Sequence, residues 1–173
     1  MRSIDLNADL GEGFGDYTLG DDAGLMALIS SANVACGFHA GDATIMARSV
    51  ALAKQHGVDL GAHVGFPDLQ GFGRRRMQID PARLAHDVTY QLGALSGFAR
   101  AAHYPLTHMS FHGALGNMAA EEEALARPLL QAVRAFDPAL IISTTPGNAV
   151  ERCARELGLH VACTFLADRA FQA

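Results

Sequence analysis

Along the chain, short apolar runs alternate with longer segments in which apolar residues return every three or four positions. The runs have the length of strands and the periodic segments the length of helices. The first run, Ser3 to Ala8, predicts a strand. Asp21 and Asp22 then open a short helix carrying Leu25, Met26, Leu28 and Ile29. Val34, Ala35 and Cys36 are small and apolar, as suits a strand covered on both faces. After a Gly-rich turn, Asp42 caps a helix whose inner side is Ile45, Met46, Val50 and Ala53, and Gly57 stops it after His56. Val58 to Ala62 predicts the third strand, ending at His63.

A long loop runs from His63 to Arg76. Asp80 as cap and Pro81 at the first helical position then start a helix striped with Leu84, Val88, Leu92, Leu95 and Ala99. Leu106 to Phe111 predicts the fourth strand, ending at His112-Gly113. Glu121, Glu122 and Glu123 sit at the positive start of the next helix, whose face is Leu125, Leu129, Val133 and Phe136. Pro128 falls inside that pattern and should kink the helix or move its start. The rest reads as a strand from Ala139 to Ser143, a helix from Gly147 to Leu157 and a strand from His160 to Leu166.

Regular alternation of strand and helix implies a parallel sheet with helices outside, either open or closed into a barrel. Polar residues recur where strands end: Asp9, His39, His63, His112, Thr144 and Asp168. Strand ends that converge on one mouth favour the barrel. At 173 residues the chain is short for a standard eight-fold barrel of roughly 250. Without a linker or low-complexity break, one α/β domain over residues 1–173 is expected.

Composition narrows the functional classes. A net charge of -5 argues against nucleic acid, whose phosphates need a basic face. No apolar stretch is long enough to span a membrane, and with a strand expected from Ile4-Asp5-Leu6 no signal peptide is expected. Cys36, Cys153 and Cys163 form no disulfide framework and no CxxC pair, which suits a reducing cytoplasm.

The candidate chemistry centres on Asn33-Val34-Ala35-Cys36-Gly37-Phe38-His39-Ala40-Gly41-Asp42. It presents His39 in a tight turn behind a strand. Asp9, Glu12, His39, Asp42, His63 and His112 are expected around one pocket. Imidazoles mixed with carboxylates suit a borderline divalent metal such as zinc, manganese or iron, or serve as metal-free general bases. Asp42 has the position of an ordinary helix cap, and Cys36 that of a packing residue. Arg74, Arg75 and Arg76 are either a solvated charge run or a clamp for a carboxylate or phosphate. Gly11-Glu12-Gly13-Phe14-Gly15 lacks the dinucleotide-binding spacing, and there is no GxxxxGK[ST] phosphate loop.

Several blocks resemble the LamB/YcsF family of 5-oxoprolinase A-type, or lactam utilization, proteins. They are Leu6-Asn7-Ala8-Asp9-Leu10-Gly11-Glu12, the Ala32–Asp42 stretch, Gly61 through Arg75, His112-Gly113-Ala114-Leu115, Asn117-Met118-Ala119-Ala120 and Ala167-Asp168-Arg169-Ala170. The resemblance implies a seven-stranded, deacetylase-like β/α barrel, here truncated after about six βα units because the family continues past Phe171-Gln172-Ala173. It implies cleavage of 5-oxo-L-proline to L-glutamate with ATP hydrolysis, in a complex with partner subunits B and C. The chain departs from the family pattern at Ala8 (Cys), at Ser110-Phe111 (Lys-Pro) and at Gly116 (Tyr).

On this reading Asp9, His39, His63 and His112 are the catalytic candidates, with Asp9, His39 and His63 also able to hold a divalent metal. Asn7, Glu12, Arg74 and Arg75 are the substrate-binding candidates. Two rival readings stand beside it: a stand-alone metal-dependent amidohydrolase or deacetylase, and a non-catalytic binding subunit or inactive fragment.

Overall fold

The computed structural model describes residues 4–167. Its strands are β1 (Asn7–Leu10), β2 (Ser31–Ala35), β3 (Asp59–Val64), β4 (Leu106–Phe111), β5 (Ile141–Thr144) and β6 (His160–Cys163). All neighbouring pairs are parallel, and spatial order follows chain order. The helices are α1 (Asp22–Met26), α2 (Ala43–His56), α3 (Pro81–Ala101), α4 (Gly113–Glu121), α5 (Glu123–Phe136) and α6 (Ala149–Glu156).

The sheet is curled. The Asp9 carboxylate of β1 reaches His63 of β3 at 3.3 Å, past β2. Likewise His108 of β4 reaches Asn33 of β2 at 3.1 Å, past β3. Strands two apart in a flat sheet are about 10 Å apart, so this face is concave. The architecture is a six-stranded half-barrel with helices on its convex side.

Strand alternation divides the two faces. Leu10, Ala32, Val34, Leu60, Ala62, Val64, Met109 and Ile142 point to the helices, joining Val50, Leu84, Val88, Leu92, Leu95, Leu129, Leu130 and Val133 in one core. The concave face instead carries Asn7, Asp9, Ser31, Asn33, His63, His108 and Ser110, joined by side-chain hydrogen bonds and the Asp9–His63 contact. A parallel sheet covered on both sides normally has apolar residues on both. This one has a polar inner wall.

The predicted limits of α2 and the predicted start of α3 match the structure. Asp42 accepts from the backbone N–H groups of Thr44 and Ile45, Gly57 closes α2 in the left-handed region, and Pro81 opens α3. Other boundaries move. Residues 4–6 lead into β1 rather than forming it, so Asp9 lies within the strand, while Ser3 and Asp168 lie outside the described residues. α1 ends before Leu28 and Ile29, and β6 ends at Cys163 rather than Leu166.

The glutamate run does not open a single helix. Glu121 ends α4, Glu122 is extended, and Glu123 begins α5, which continues through Pro128. The sequence pattern hides α4 because Gly113, Gly116 and Asn117 are poor helix formers. Burial of Leu115, Met118 and Ala119 overrides that preference.

Candidate active site

Each functional side chain is delivered by a strand end or the turn behind it. β1 carries Asp9, and the following turn carries Glu12. The turn after β2 places His39, held by bonds from Gly37 N–H to the Ala40 carbonyl and from Gly41 N–H to the Gly13 carbonyl, both 2.8 Å. β3 carries His63. His112 follows β4, its N–H donating to the Val64 carbonyl at 2.8 Å.

The loop after β3 folds over these groups, and Gly73 shows how closely. A Cβ at Gly73 would lie 2.8 Å from both the His39 Cβ and the His112 Cδ2. Its φ of +62° is a second reason for glycine there. Gly65 forms another wall, since a Cβ there would sit 2.6 Å from His39 Nδ1.

The imidazoles of His39 and His112 stack with centroids 3.7 Å apart, and His63 meets His112 edge-on at 4.8 Å. His63 Nε2 is 3.0 Å from His112 Nδ1, and His63 Nδ1 is 2.7 Å from the Ser110 hydroxyl. Glu12 Oε1 lies 3.8 Å from both His39 Nε2 and His112 Nδ1. His112 Nε2 is 2.8 Å from the Phe72 carbonyl, which can only accept. The His112 proton therefore sits on Nε2, and its Nδ1 lone pair faces the cluster. Both ring nitrogens of His39 are buried without a hydrogen-bond partner.

Electrostatics follow from this packing. Burial, reinforced by neighbouring imidazoles, pushes His39 down to about 3 and His112 down to about 4. Both rings are neutral near pH 7. Burial raises the Glu12 carboxyl. Partial burial acts to raise Asp9 as well, but the hydrogen bonds and charges of His63, Asn33 and His112 hold it below the usual carboxylate range.

Asp9, Glu12, His39, His63 and His112 are thus brought together. Glu12, His39, His63 and His112 each offer a ligand atom within 4.8 Å of the others, an arrangement compatible with a divalent metal ion. Asp9 lies outside that set and touches it through His63. Asp42 is not in the pocket: it caps α2 and accepts from Gly15 N–H at 2.7 Å. Thr144 accepts from Asn148 at the start of α6.

Arg75 is engaged by Asp68 in an ion pair. Arg74 is exposed, lies 5.8 Å over the Phe72 ring, and acts on Glu12 and His39 through its charge. Asn7 sits deeper on the concave face, exchanging hydrogen bonds with Asn33. Cys36 is buried, and that burial pushes its thiol up to about 12, as befits a packing residue.

Sequence reasoning assigned no site role to Asn33, Ser110, His108 or Gln91. Asn33 bridges Asp9 and His108, and Ser110 holds His63. The alternation His108, Ser110, His112 was the available signal, since alternate residues of a strand share a face. Beside Glu12 and His39 opens a cavity of about 250 Å³, rimmed by Phe14, Tyr17, Leu69 and Phe72.

Comparison with known proteins gives a consistent result. The model of the LamB/YcsF family matches residues 4–173. The chain is 66% identical over 168 residues to a 5-oxoprolinase A subunit of Pseudomonas syringae pv. tomato, covering 97% of this chain and 66% of that protein. It is 64% identical to a 5-oxoprolinase A subunit of Ralstonia nicotianae, covering 97% of this chain and 65% of the relative. The crystal structure of a lactam utilization protein from Thermus thermophilus superposes with a TM-score of 0.92 at 48% identity, over 94% of this chain and 66% of that one. The chain therefore spans about two thirds of the length of these relatives.

Proposed function

The chain belongs to the LamB/YcsF family, and on that premise we propose that it is the A-type component of an ATP-dependent 5-oxoprolinase. In this reading it acts with partner subunits B and C and cleaves 5-oxo-L-proline to L-glutamate in the cytoplasm. The relatives' designation as A subunits supports a multisubunit assembly. No helix among the described residues is long and apolar enough to cross a membrane.

An unstrained lactam resists attack by water. Transfer of a phosphoryl group from ATP to the lactam oxygen would activate the ring carbon: water would add to it, the C–N bond would break as the nitrogen takes up a proton, and a second water would hydrolyse the resulting acyl phosphate to L-glutamate and phosphate. These 173 residues contain no P-loop, and in this reading a partner or a different motif handles the nucleotide.

The observation that carries the site assignment is His39: wholly buried beside the cavity, neutral near pH 7, with neither ring nitrogen partnered. In this reading it takes a proton from an attacking water, which the neighbouring rings help to relay. Asp9 and Ser110 orient His63, and the Phe72 carbonyl orients His112, so both rings hold fixed positions for proton transfer. Arg74 is the cation available to meet the substrate carboxylate, since Arg75 is occupied by Asp68. Asn7 supports the site from below through Asn33.

A stand-alone metal-dependent amidohydrolase is the second reading, favoured by the four-ligand cluster. Assaying glutamate release from 5-oxoproline, with and without ATP and the partner subunits, separates the two. The expected result is turnover only with ATP and partners present. Turnover by the chain alone with a metal ion and no ATP would overturn the proposal.

A further inference from the structure

We propose that Glu12, His39, His63 and His112 form a four-ligand site for a borderline divalent cation of the zinc class, oriented by the Phe72 carbonyl and the Ser110 hydroxyl. The inference rests on the functional reading above for its catalytic meaning alone; with an ion bound, His39 would serve as a ligand in place of the proton acceptor it is in the ion-free site.

Three of the ligand-to-ligand distances are near those of such an ion. Ligand atoms about 2.0–2.1 Å from a tetrahedral centre lie roughly 3.3–3.4 Å from one another. Here His63 Nε2 and His112 Nδ1 are 3.0 Å apart, and Glu12 Oε1 is 3.8 Å from His39 Nε2 and from His112 Nδ1. The whole set spans up to 4.8 Å, and His39 and His112, stacked in parallel at 3.7 Å, must unstack for their in-plane lone pairs to meet one ion.

His39 is the independent pointer. Its side chain is 0% exposed, and neither nitrogen has a hydrogen-bond partner. Buried polar groups are nearly always satisfied. A cation at the centre of the cluster gives the inward nitrogen its partner.

The outer contacts set the tautomers that coordination needs. The Phe72 carbonyl fixes the His112 proton on Nε2 and leaves Nδ1 free as a ligand atom. Phe72 holds a left-handed backbone, φ 53°, which is costly for a residue with a side chain and recurs at functional sites. Ser110 both donates and accepts. It can receive the proton from His63 Nδ1, freeing Nε2 for the ion. With an ion bound, His63 would carry its proton on Nδ1, toward Ser110.

Three imidazoles with one carboxylate select zinc, cobalt or iron over magnesium and calcium, which prefer all-oxygen shells. Asp9, beside His63, adds a second negative charge without joining the ligands.

The test uses the full chain, stripped with a chelator, and Zn²⁺, Co²⁺ and Mg²⁺ as probes. Calorimetry should show one Zn²⁺ per chain, undisturbed by millimolar Mg²⁺. Co²⁺ should give the intense visible absorption of a tetrahedral site. His39→Ala and the isosteric Glu12→Gln should each weaken Zn²⁺ binding by about 100-fold or more. Ser110→Ala, outside the ligand set, should weaken it about 10–100-fold, with circular dichroism confirming that each variant is folded. Absence of stoichiometric Zn²⁺, or affinity unchanged in folded Glu12→Gln and Ser110→Ala, overturns the proposal. A chain that binds Zn²⁺ in an assembly without oxoprolinase activity supports this site and overturns the functional reading. An active assembly that binds no Zn²⁺ does the reverse.

Discussion

Gln91 is a buried polar residue on the core side of α3, fully enclosed. Its side-chain amide clasps the backbone of Gly65: Oε1 accepts from Gly65 N–H, and Nε2 donates to the Gly65 carbonyl, both at 3.0 Å. Gly65 in turn walls the His39 ring. Replacing Gln91 with Leu keeps comparable bulk but leaves a buried donor and a buried acceptor without partners. Each unsatisfied group costs about 1–3 kcal/mol, so Gln91→Leu should lose about 2–6 kcal/mol. For a chain of this size that corresponds to a fall in Tm of roughly 4–24 °C. Urea titration and thermal melting read the loss directly. Activity of the assembled complex should fall as well, because the wall beside His39 is no longer fixed. A variant melting within about 1 °C of wild type would show that the clasp contributes nothing net, and the explanation of how His39 is positioned would fail.

Two further outcomes test the surroundings of the cluster. Arg74→Ala should raise KM for 5-oxoproline about tenfold or more, whereas Arg75→Lys should leave KM near wild type, because Arg75 is held by Asp68. The opposite pattern would move the carboxylate clamp to Arg75. In chelator-treated protein, stability should fall on acidification from pH 7 to 5. His39 and His112 stay neutral when folded, down to about 3 and about 4, but take up protons near pH 6.5 when unfolded. The unfolded state therefore binds more protons across that window, and the two rings together cost about 3–4 kcal/mol by pH 5. Glu12, raised by burial, works in the opposite sense and trims this loss. Equal unfolding midpoints in urea at pH 7 and pH 5 would contradict the buried neutral pair.

Much of this was legible in the sequence, and the reasons are local. The Asp42 cap, the Gly57 stop and the Asp80-Pro81 start declare α2 and α3 outright. His39, His63 and His112 stand at or just behind strand ends, and parallel strands in chain order bring such positions to one mouth. What stayed hidden depends on curvature and loop folding. Asn33 and His108 meet only because the sheet curls. Asp68 claims Arg75 only once the loop after β3 turns back on itself. Gln91 falls on the apolar stripe of α3, where its partner, the Gly65 backbone, has no side chain to advertise it. α4 was lost to its glycines, whose unfavourable propensity the burial of Leu115 and Met118 outweighs.

On the proposed reading, the clustered imidazoles carry out the lactam cleavage. ATP-dependent glutamate release from 5-oxoproline, measured in the assembled complex with His39→Ala and with His63→Ala, tests it most directly. Each variant should remain folded and assemble, yet lose activity about 100-fold or more, the scale of a lost acid or base. Wild-type turnover in both assembled variants would contradict it.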